Sequence, residues 1–86
     1  MKTLSRTENF INKGKRGLCE DIDFLMSHLQ ADSDFTTILL TDQALRCVSS
    51  VEGIQRLDYY LMNGNKPQRN YSANFFRRRE DRLRLL

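Results

Sequence analysis

Residues 41–64 read TDQALRCVSSVEGIQRLDYYLMNG, and the pattern of this stretch decides which fold class the sequence predicts. Its apolar residues recur every three or four positions, the spacing that keeps one face of a helix against a core. Ser49 and Glu52 form a capping-box pattern, which favours a new helix at that point, and Gly64 is suited to end it. The stretch therefore predicts two helices joined by a short polar turn. The apolar residues that mark their buried faces are Ala44, Leu45, Val48, Val51, Ile54, Leu57 and Leu61.

Two further helices are predicted upstream of this pair. The clearer one is an amphipathic stripe over residues 18–31, in which apolar side chains follow one another at helical spacing. The other covers residues 6–12 and begins at a capping-box pattern formed by Ser5 and Glu8. The segment GKRG at residues 14–17 is expected to end it, because two glycines so close together are costly in a helix. The apolar residues of the stripe are Leu18, Ile22, Leu25, Met26 and Leu29.

The segment FTTILL at residues 35–40 leaves two interpretations open. Its β-branched and aromatic residues suit a strand, whereas Asp34 in front of it suits the N-cap of a helix. A lone strand has no obvious partner in this chain, and unpaired backbone groups are costly. We therefore favour a short helix. The alternative is an α+β fold in which this strand pairs with a second copy of the chain.

Pro67 biases Lys66 away from helical geometry. A last helix is therefore predicted only after that point, over about residues 73–85, with Ser72 as its N-cap. The predicted fold class is therefore all-α, a small single-domain bundle of four to five short helices over residues 1–86. Residues 1–4 are expected to be frayed. The expected core consists of Leu18, Ile22, Leu25, Leu29, Leu45, Val48, Ile54, Leu57 and Leu61.

Charge is unevenly distributed along the chain, although the formal net charge is +3. Residues 1–18 hold five basic residues and one acidic residue, and residues 66–86 hold seven basic and two acidic residues. Residues 19–65 hold eight acidic and two basic residues, so an acidic body lies between two basic ends. Either the ends fold back and neutralise the body, or one basic end faces an anionic partner.

The C-terminal segment is the strongest candidate for a binding site. Guanidinium groups donate paired hydrogen bonds to phosphate and carboxylate oxygens, so a cluster of them suits nucleic acid. Phe75 and Phe76 could stack on bases but are expected to pack in the core instead. The hypothesised function is therefore that of a small regulatory protein that binds nucleic acid, either DNA or RNA. The expected contact residues are Arg77, Arg78, Arg79, Arg82 and Arg84 of the last helix, helped by Lys13, Lys15 and Arg16.

Residues 41–64 also permit a weaker, DNA-reading interpretation as a helix-turn-helix. The turn lacks the glycine that is usual in this motif. Asp42, Glu52 and Asp58 place negative charge on both helices, which opposes a DNA groove lined by phosphates. We therefore do not favour sequence-specific DNA reading by this pair.

A protein partner is the alternative to nucleic acid. Tyr59, Tyr60, Leu61 and Met62 form an apolar and aromatic cluster that is larger than one helix face needs. Tyr, Met and Arg are enriched in the cores of protein interfaces. The alternative function is therefore a protein-binding adaptor, inhibitor or antagonist that acts through Tyr59, Tyr60, Met62 and the same arginines. A homodimer is a further option.

Catalytic, metal and membrane signatures are absent from the sequence. It has no nucleophile paired with His28, no zinc-ligand spacing and no phosphate-binding loop, so we expect no enzyme, no cofactor and no metal. No stretch approaches the roughly 18–20 apolar residues of a membrane span. Cys19 and Cys47 are expected to be buried free thiols, with a single disulfide as the alternative. Without an apolar secretory signal at the N-terminus, the expected location is the cytoplasm.

Overall fold

Five α-helices and no strand make up the part of the chain that the structure describes. The structure is a computed structural model, which describes the backbone of residues 5–84 and the side chains of residues 5–80. The all-α prediction is confirmed, and residues 35–40, the segment with two interpretations, are helical. Residues 1–4, for which fraying is predicted, lie outside the described residues. In chain order the helices are α1 (Arg6–Arg16), α2 (Cys19–Met26), α3 (Phe35–Arg46), α4 (Val51–Asn63) and α5 (Lys66–Arg84).

Side-chain caps begin most of these helices. Ser5 caps α1 and Asp34 caps α3, and each accepts a hydrogen bond from the backbone N–H three residues later. Both caps follow the pattern that the sequence predicts. The cap of α4 is Ser50, one residue after the predicted Ser49, and its Oγ accepts from the Gly53 N–H at 3.0 Å. Short polar side chains therefore fix where these three helices start.

Helix α5 begins earlier than predicted, at Lys66 instead of after Ser72. Asn65 and Gln68 form a reciprocal cap, because each side-chain oxygen accepts from the other's backbone N–H, at 2.9 and 2.8 Å. Pro67 does not oppose this start, since the first N–H groups of a helix have no intrahelical partner in any case. Ser72 consequently lies inside the helix and is fully buried.

Helix α1 continues through Gly14 to Arg16, beyond the predicted end at residue 12. Gly14 lies directly against the backbone of α3, where a Cβ added to it would lie 2.0 Å from the carbonyl oxygen of Ala44. The two helices can approach this closely only because the position has no side chain. The helix then ends at Gly17, whose φ of 63° is the left-handed conformation that glycine adopts easily.

Helix α2 is shorter than the helix predicted over residues 18–31 and ends at Met26. The chain turns away after that residue, but the Leu29 side chain remains fully buried in the following loop. The apolar spacing therefore predicts this buried position correctly without predicting the end of the helix. Leu18 precedes α2 in extended geometry and is exposed, so its predicted place in the core is wrong.

One apolar core joins all five helices. Six of the nine residues predicted for it are buried, whereas Ile54 and Leu61 are half-buried. Phe75 of α5 is buried as expected, and Phe10 and Leu40 contribute to the core although the sequence analysis does not place them there. The buried apolar residues are Phe10, Ile22, Leu25, Met26, Leu29, Leu40, Ala44, Leu45, Val48, Leu57 and Phe75.

Replacing Gly14 with alanine should destabilise the protein, although the same change inside a helix usually stabilises by about 0.5–1 kcal/mol. The added methyl group would overlap the carbonyl of Ala44, and such overpacking costs about 1–3 kcal/mol. The Tm in thermal unfolding followed by circular dichroism should therefore fall by about 5 °C or more. Asn12→Ala, at an exposed position of the same helix, is the control and should leave the Tm nearly unchanged. A Tm that stays the same or rises for Gly14→Ala would contradict the close packing of α1 on α3.

Candidate anion-binding site

A shallow cavity of about 190 Å³ lies where the end of α3 meets α5. Arg46, Arg78 and Arg79 line it together with Val48 and Phe75, and we call these five residues the arginine cavity. Val48 and Phe75 are 3% and 4% exposed, so they form an apolar floor for the space between three guanidinium groups. No acidic residue lines the cavity in the part of the chain that the structure describes.

Helical geometry brings these side chains together. Phe75, Arg78 and Arg79 are three and four residues apart on α5, which places them on one face of that helix. Arg46 is the last residue of α3, and Val48 follows in the turn that leads to α4. The cavity therefore forms only when α5 packs against α3, since each helix supplies part of the lining.

The carboxylate of Asp42 orients two of the three arginines. Its Oδ2 accepts from Nε and Nη2 of Arg46 at 3.2 and 3.0 Å, and its Oδ1 accepts from Nη2 of Arg78 at 3.1 Å. The Asp42 side chain is 11% exposed, so its charge requires these partners. The side chain of Arg46 stays 58% exposed and that of Arg78 35% exposed. Both guanidinium groups are therefore held in place and remain accessible from solvent.

Arg79 adds a third positive charge to the cavity. Its side chain is exposed, its Cζ lies 5.8 Å from the centroid of the Phe75 ring, and it forms no ion pair among the side chains that the structure describes. Three guanidinium groups and the one carboxylate of Asp42 leave a formal excess of two positive charges at this site. The arrangement can therefore accept an anion with at least one negative charge.

The other arginines expected to contact nucleic acid do not line the cavity. Arg77 is exposed and donates a hydrogen bond to Asn74 of its own helix. The side chains of Arg82 and Arg84 lie outside the described residues. Arg46 is absent from the sequence prediction, although it follows Asp42 by four residues, a helical spacing at which ion pairs form. That spacing is the signal in the sequence that could have singled it out.

The basic residues near the N-terminus are also separate from the arginine cavity. The Nζ of Lys13 lies 4.6 Å from the centroid of the Phe24 ring, and Lys15 is exposed. Arg16 donates from Nε to Oδ2 of the buried Asp21 at 2.8 Å. This hydrogen bond from Arg16 holds the pKa of Asp21 below its ordinary value. Arg16 therefore stabilises the junction between α1 and α2, and the structure does not bring it together with the arginines of α5.

Of the three residues predicted for the alternative, protein-binding surface, Tyr60 is half-buried, whereas Tyr59 and Met62 are exposed. The Tyr60 O–H donates to Oδ1 of Asp23 at 2.7 Å, and Nε of Arg56 donates to the same oxygen at 2.7 Å. Tyr60 therefore helps to join α4 to α2. Tyr59 and Met62 are exposed and take no part in this junction.

Three large apolar or aromatic side chains of α4 are exposed. Val51 is 73% exposed, so its predicted place on the buried face of this helix is wrong. Met62 is 72% exposed, and Tyr59 lies on the same side of the helix. The Cζ of Arg56 lies 4.3 Å from the centroid of the Tyr59 ring, so a cation borders the apolar surface. We call Val51, Tyr59 and Met62 the α4 stripe.

Two kinds of site are not found in the described part of the chain. No group of three or more His, Cys, Asp or Glu side chains there could hold a metal ion. Nor does any helix in those residues combine the length and apolar character needed to cross a membrane. Cys19 and Cys47 are free thiols, each half-buried instead of fully buried. Comparison of the chain with protein-family models, curated proteins and solved structures found no match.

Tyr60→Phe should remove one late-ionising tyrosine from the folded protein. An unperturbed tyrosine ionises near about pH 10, whereas burial and the hydrogen bond to Asp23 raise the pKa of Tyr60 to about 12. The stabilising effect of Tyr60 is therefore complete below about pH 10 and is lost as the pH rises towards about 12. A spectrophotometric titration should show one tyrosine that ionises near pH 12 in the wild type and in the Tyr59→Phe control, but none in Tyr60→Phe. If every tyrosine of the folded wild type ionised near about pH 10, the hydrogen bond would be ruled out.

Proposed function

We propose that this protein is a small regulatory protein that binds the phosphate backbone of nucleic acid, with the arginine cavity as its anchoring point. The observation that carries the proposal is the convergence of Arg46, Arg78 and Arg79 from two helices, with the carboxylate of Asp42 paired to two of them. A concave surface with excess positive charge attracts polyanions and raises their rate of association. The proposed activity is binding without catalysis, and the proposed location is the cytoplasm.

The chemistry of guanidinium groups supports phosphate as the ligand. Each guanidinium presents five N–H donors in a flat fork, which can form two parallel hydrogen bonds to phosphate oxygens. Asp42 accepts from two donor nitrogens of Arg46 and from one of Arg78, so further donors of both side chains are available to a ligand. Because Asp42 already orients these side chains, they lose less conformational entropy when a ligand binds.

The contacts available favour recognition of the backbone over recognition of bases. Phe75 is buried in the floor of the cavity, so its ring is not available for base stacking. On α4, which would be the reading helix of a helix-turn-helix, Arg56 pairs with Asp23 at 2.7 Å, and the exposed Glu52 and Asp58 are acidic. Contacts to phosphates position a protein without reading the sequence, so we propose binding that is independent of base sequence.

Binding to duplex DNA or structured RNA, measured by fluorescence anisotropy, should weaken steeply as the salt concentration rises. Each phosphate that is neutralised contributes a slope of about −0.9 to the log–log plot for duplex DNA. Arg46→Gln combined with Arg79→Gln removes two of the three guanidinium groups around the phosphate in the cavity, so the slope should become shallower by roughly 0.9, the share of one phosphate. The affinity of this double variant at low salt should fall by about tenfold or more, since hydrogen bonds to charged groups are lost.

Lys66→Gln combined with Arg69→Gln is the matched control, since both residues are exposed and belong to the same helix. It removes the same charge at a distance of roughly 13 Å or more along the helix axis from the two cavity arginines of α5. This control should keep most of the affinity and of the salt dependence. The proposal fails if the wild type binds neither nucleic acid at about 50 mM salt, or if both double variants lose affinity equally.

A protein-binding adaptor, inhibitor or antagonist is the second candidate function, and the α4 stripe is the observation that favours it. Tyr59 and Met62, which are three residues apart on one helix, are neighbouring exposed side chains, and grouped exposed apolar side chains mark interaction sites more often than isolated ones do. Val51→Ser combined with Met62→Ser keeps every arginine, so in the same anisotropy assay it should bind nucleic acid as the wild type does. The second function takes precedence if the wild type binds no nucleic acid but forms a stoichiometric complex with one purified protein, and this variant does not.

A further inference from the structure

The arginine cavity is a compact space and not a groove that could follow a strand. Its volume of about 190 Å³ lies below the roughly 300–1,000 Å³ of pockets that hold a whole small molecule. Val48 and Phe75 close it on the inner side, and the three arginines surround it. The space therefore suits one compact group, such as a single phosphate, while the rest of the ligand stays outside.

The charge of the cavity discriminates between two kinds of phosphate. Arg46, Arg78 and Arg79 bring three positive charges and Asp42 brings one negative charge, which leaves a formal excess of two. A phosphodiester within a strand carries a single negative charge, whereas a terminal phosphate monoester carries about −1.5 to −2 near pH 7 and presents three acceptor oxygens. The monoester therefore matches both the charge excess and the number of guanidinium groups.

We propose that the arginine cavity binds the terminal phosphate of a nucleic-acid strand, so that the protein recognises a phosphorylated strand end. This inference rests on the proposed function and narrows its ligand. Arg46 and Arg78, which Asp42 already orients, donate to the phosphate from one side, and the exposed Arg79 donates from α5. The rest of the strand stays outside the cavity.

The apolar floor strengthens the preference for a strand end. Val48 and Phe75 give the inner side of the cavity an apolar surface, and charge interactions are stronger beside such a surface than in open water. An internal phosphate is linked to sugars on both sides, so only two of its oxygens are free to accept from the arginines. A terminal phosphate has one such link, so it can enter with its three free oxygens first.

The test compares three single-stranded oligonucleotides of one sequence, which carry a 5′-phosphate, a 3′-phosphate or no terminal phosphate. In fluorescence anisotropy, at least one phosphorylated strand should bind about tenfold tighter than the unphosphorylated strand, the ratio that one additional charge-assisted hydrogen bond supports. Arg46→Gln combined with Arg79→Gln should abolish this advantage, and Lys66→Gln combined with Arg69→Gln should keep it. Circular dichroism of the two variants confirms that both remain folded.

The outcomes separate this inference from the proposed function. A preference for either phosphorylated end that depends on Arg46 and Arg79 supports the inference and identifies the end. Equal binding of all three strands, with the dependence on Arg46 and Arg79 retained, overturns the inference and leaves the proposed function standing. A preference that survives in Arg46→Gln combined with Arg79→Gln overturns the assignment to the cavity. Binding of none of the strands at about 50 mM salt overturns both.

Discussion

Asp42 is an almost fully buried carboxylate, and the arrangement of the basic surface depends on it. A charge that leaves water must be paired, because an unpaired buried charge is costly. Arg46 provides one partner from the next turn of α3, and Arg78 provides the other from α5. The same contacts that satisfy Asp42 therefore tie the last helix to the third and place two guanidinium groups beside Arg79. Fold stability and the candidate site share one set of interactions.

The basic residues divide between internal pairing and the surface. Arg16 pairs with Asp21 and Arg78 pairs with Asp42, so each basic end neutralises part of the acidic body. Arg79 forms no such pair among the described side chains and stays exposed. The two readings of the charge distribution are therefore not exclusive. The arginine cavity fits both interpretations. It contains Arg78, which pairs with Asp42, and Arg79, which forms no ion pair among the described side chains.

Local patterns in the sequence predict the helices and many buried positions, but contacts between helices leave no local pattern. Helical spacing places Leu57 in the core, and the structure confirms it. Gly14 resembles a helix breaker in the sequence. Its real role, the close contact with Ala44, appears only when α1 packs on α3. Pro67 resembles a barrier to helix formation, because the start of α5 depends on capping side chains around it. The spacing of Arg46 from Asp42 signals an ion pair within α3 but not a place in the cavity, since the cavity exists only after α5 packs against α3.

We propose above all that the guanidinium groups of the arginine cavity contact an anionic ligand, while Arg16 and Arg56, which pair with Asp21 and Asp23, do not. Nuclear magnetic resonance of the arginine Nε–H groups, during titration with a short oligonucleotide at low salt, tests this claim directly. We expect the signals of Arg46, Arg78 and Arg79 to shift together and saturate, while those of Arg16 and Arg56 keep their positions. Shifts confined to the backbone amides of the α4 stripe, or no shift of the three cavity arginines, would contradict it.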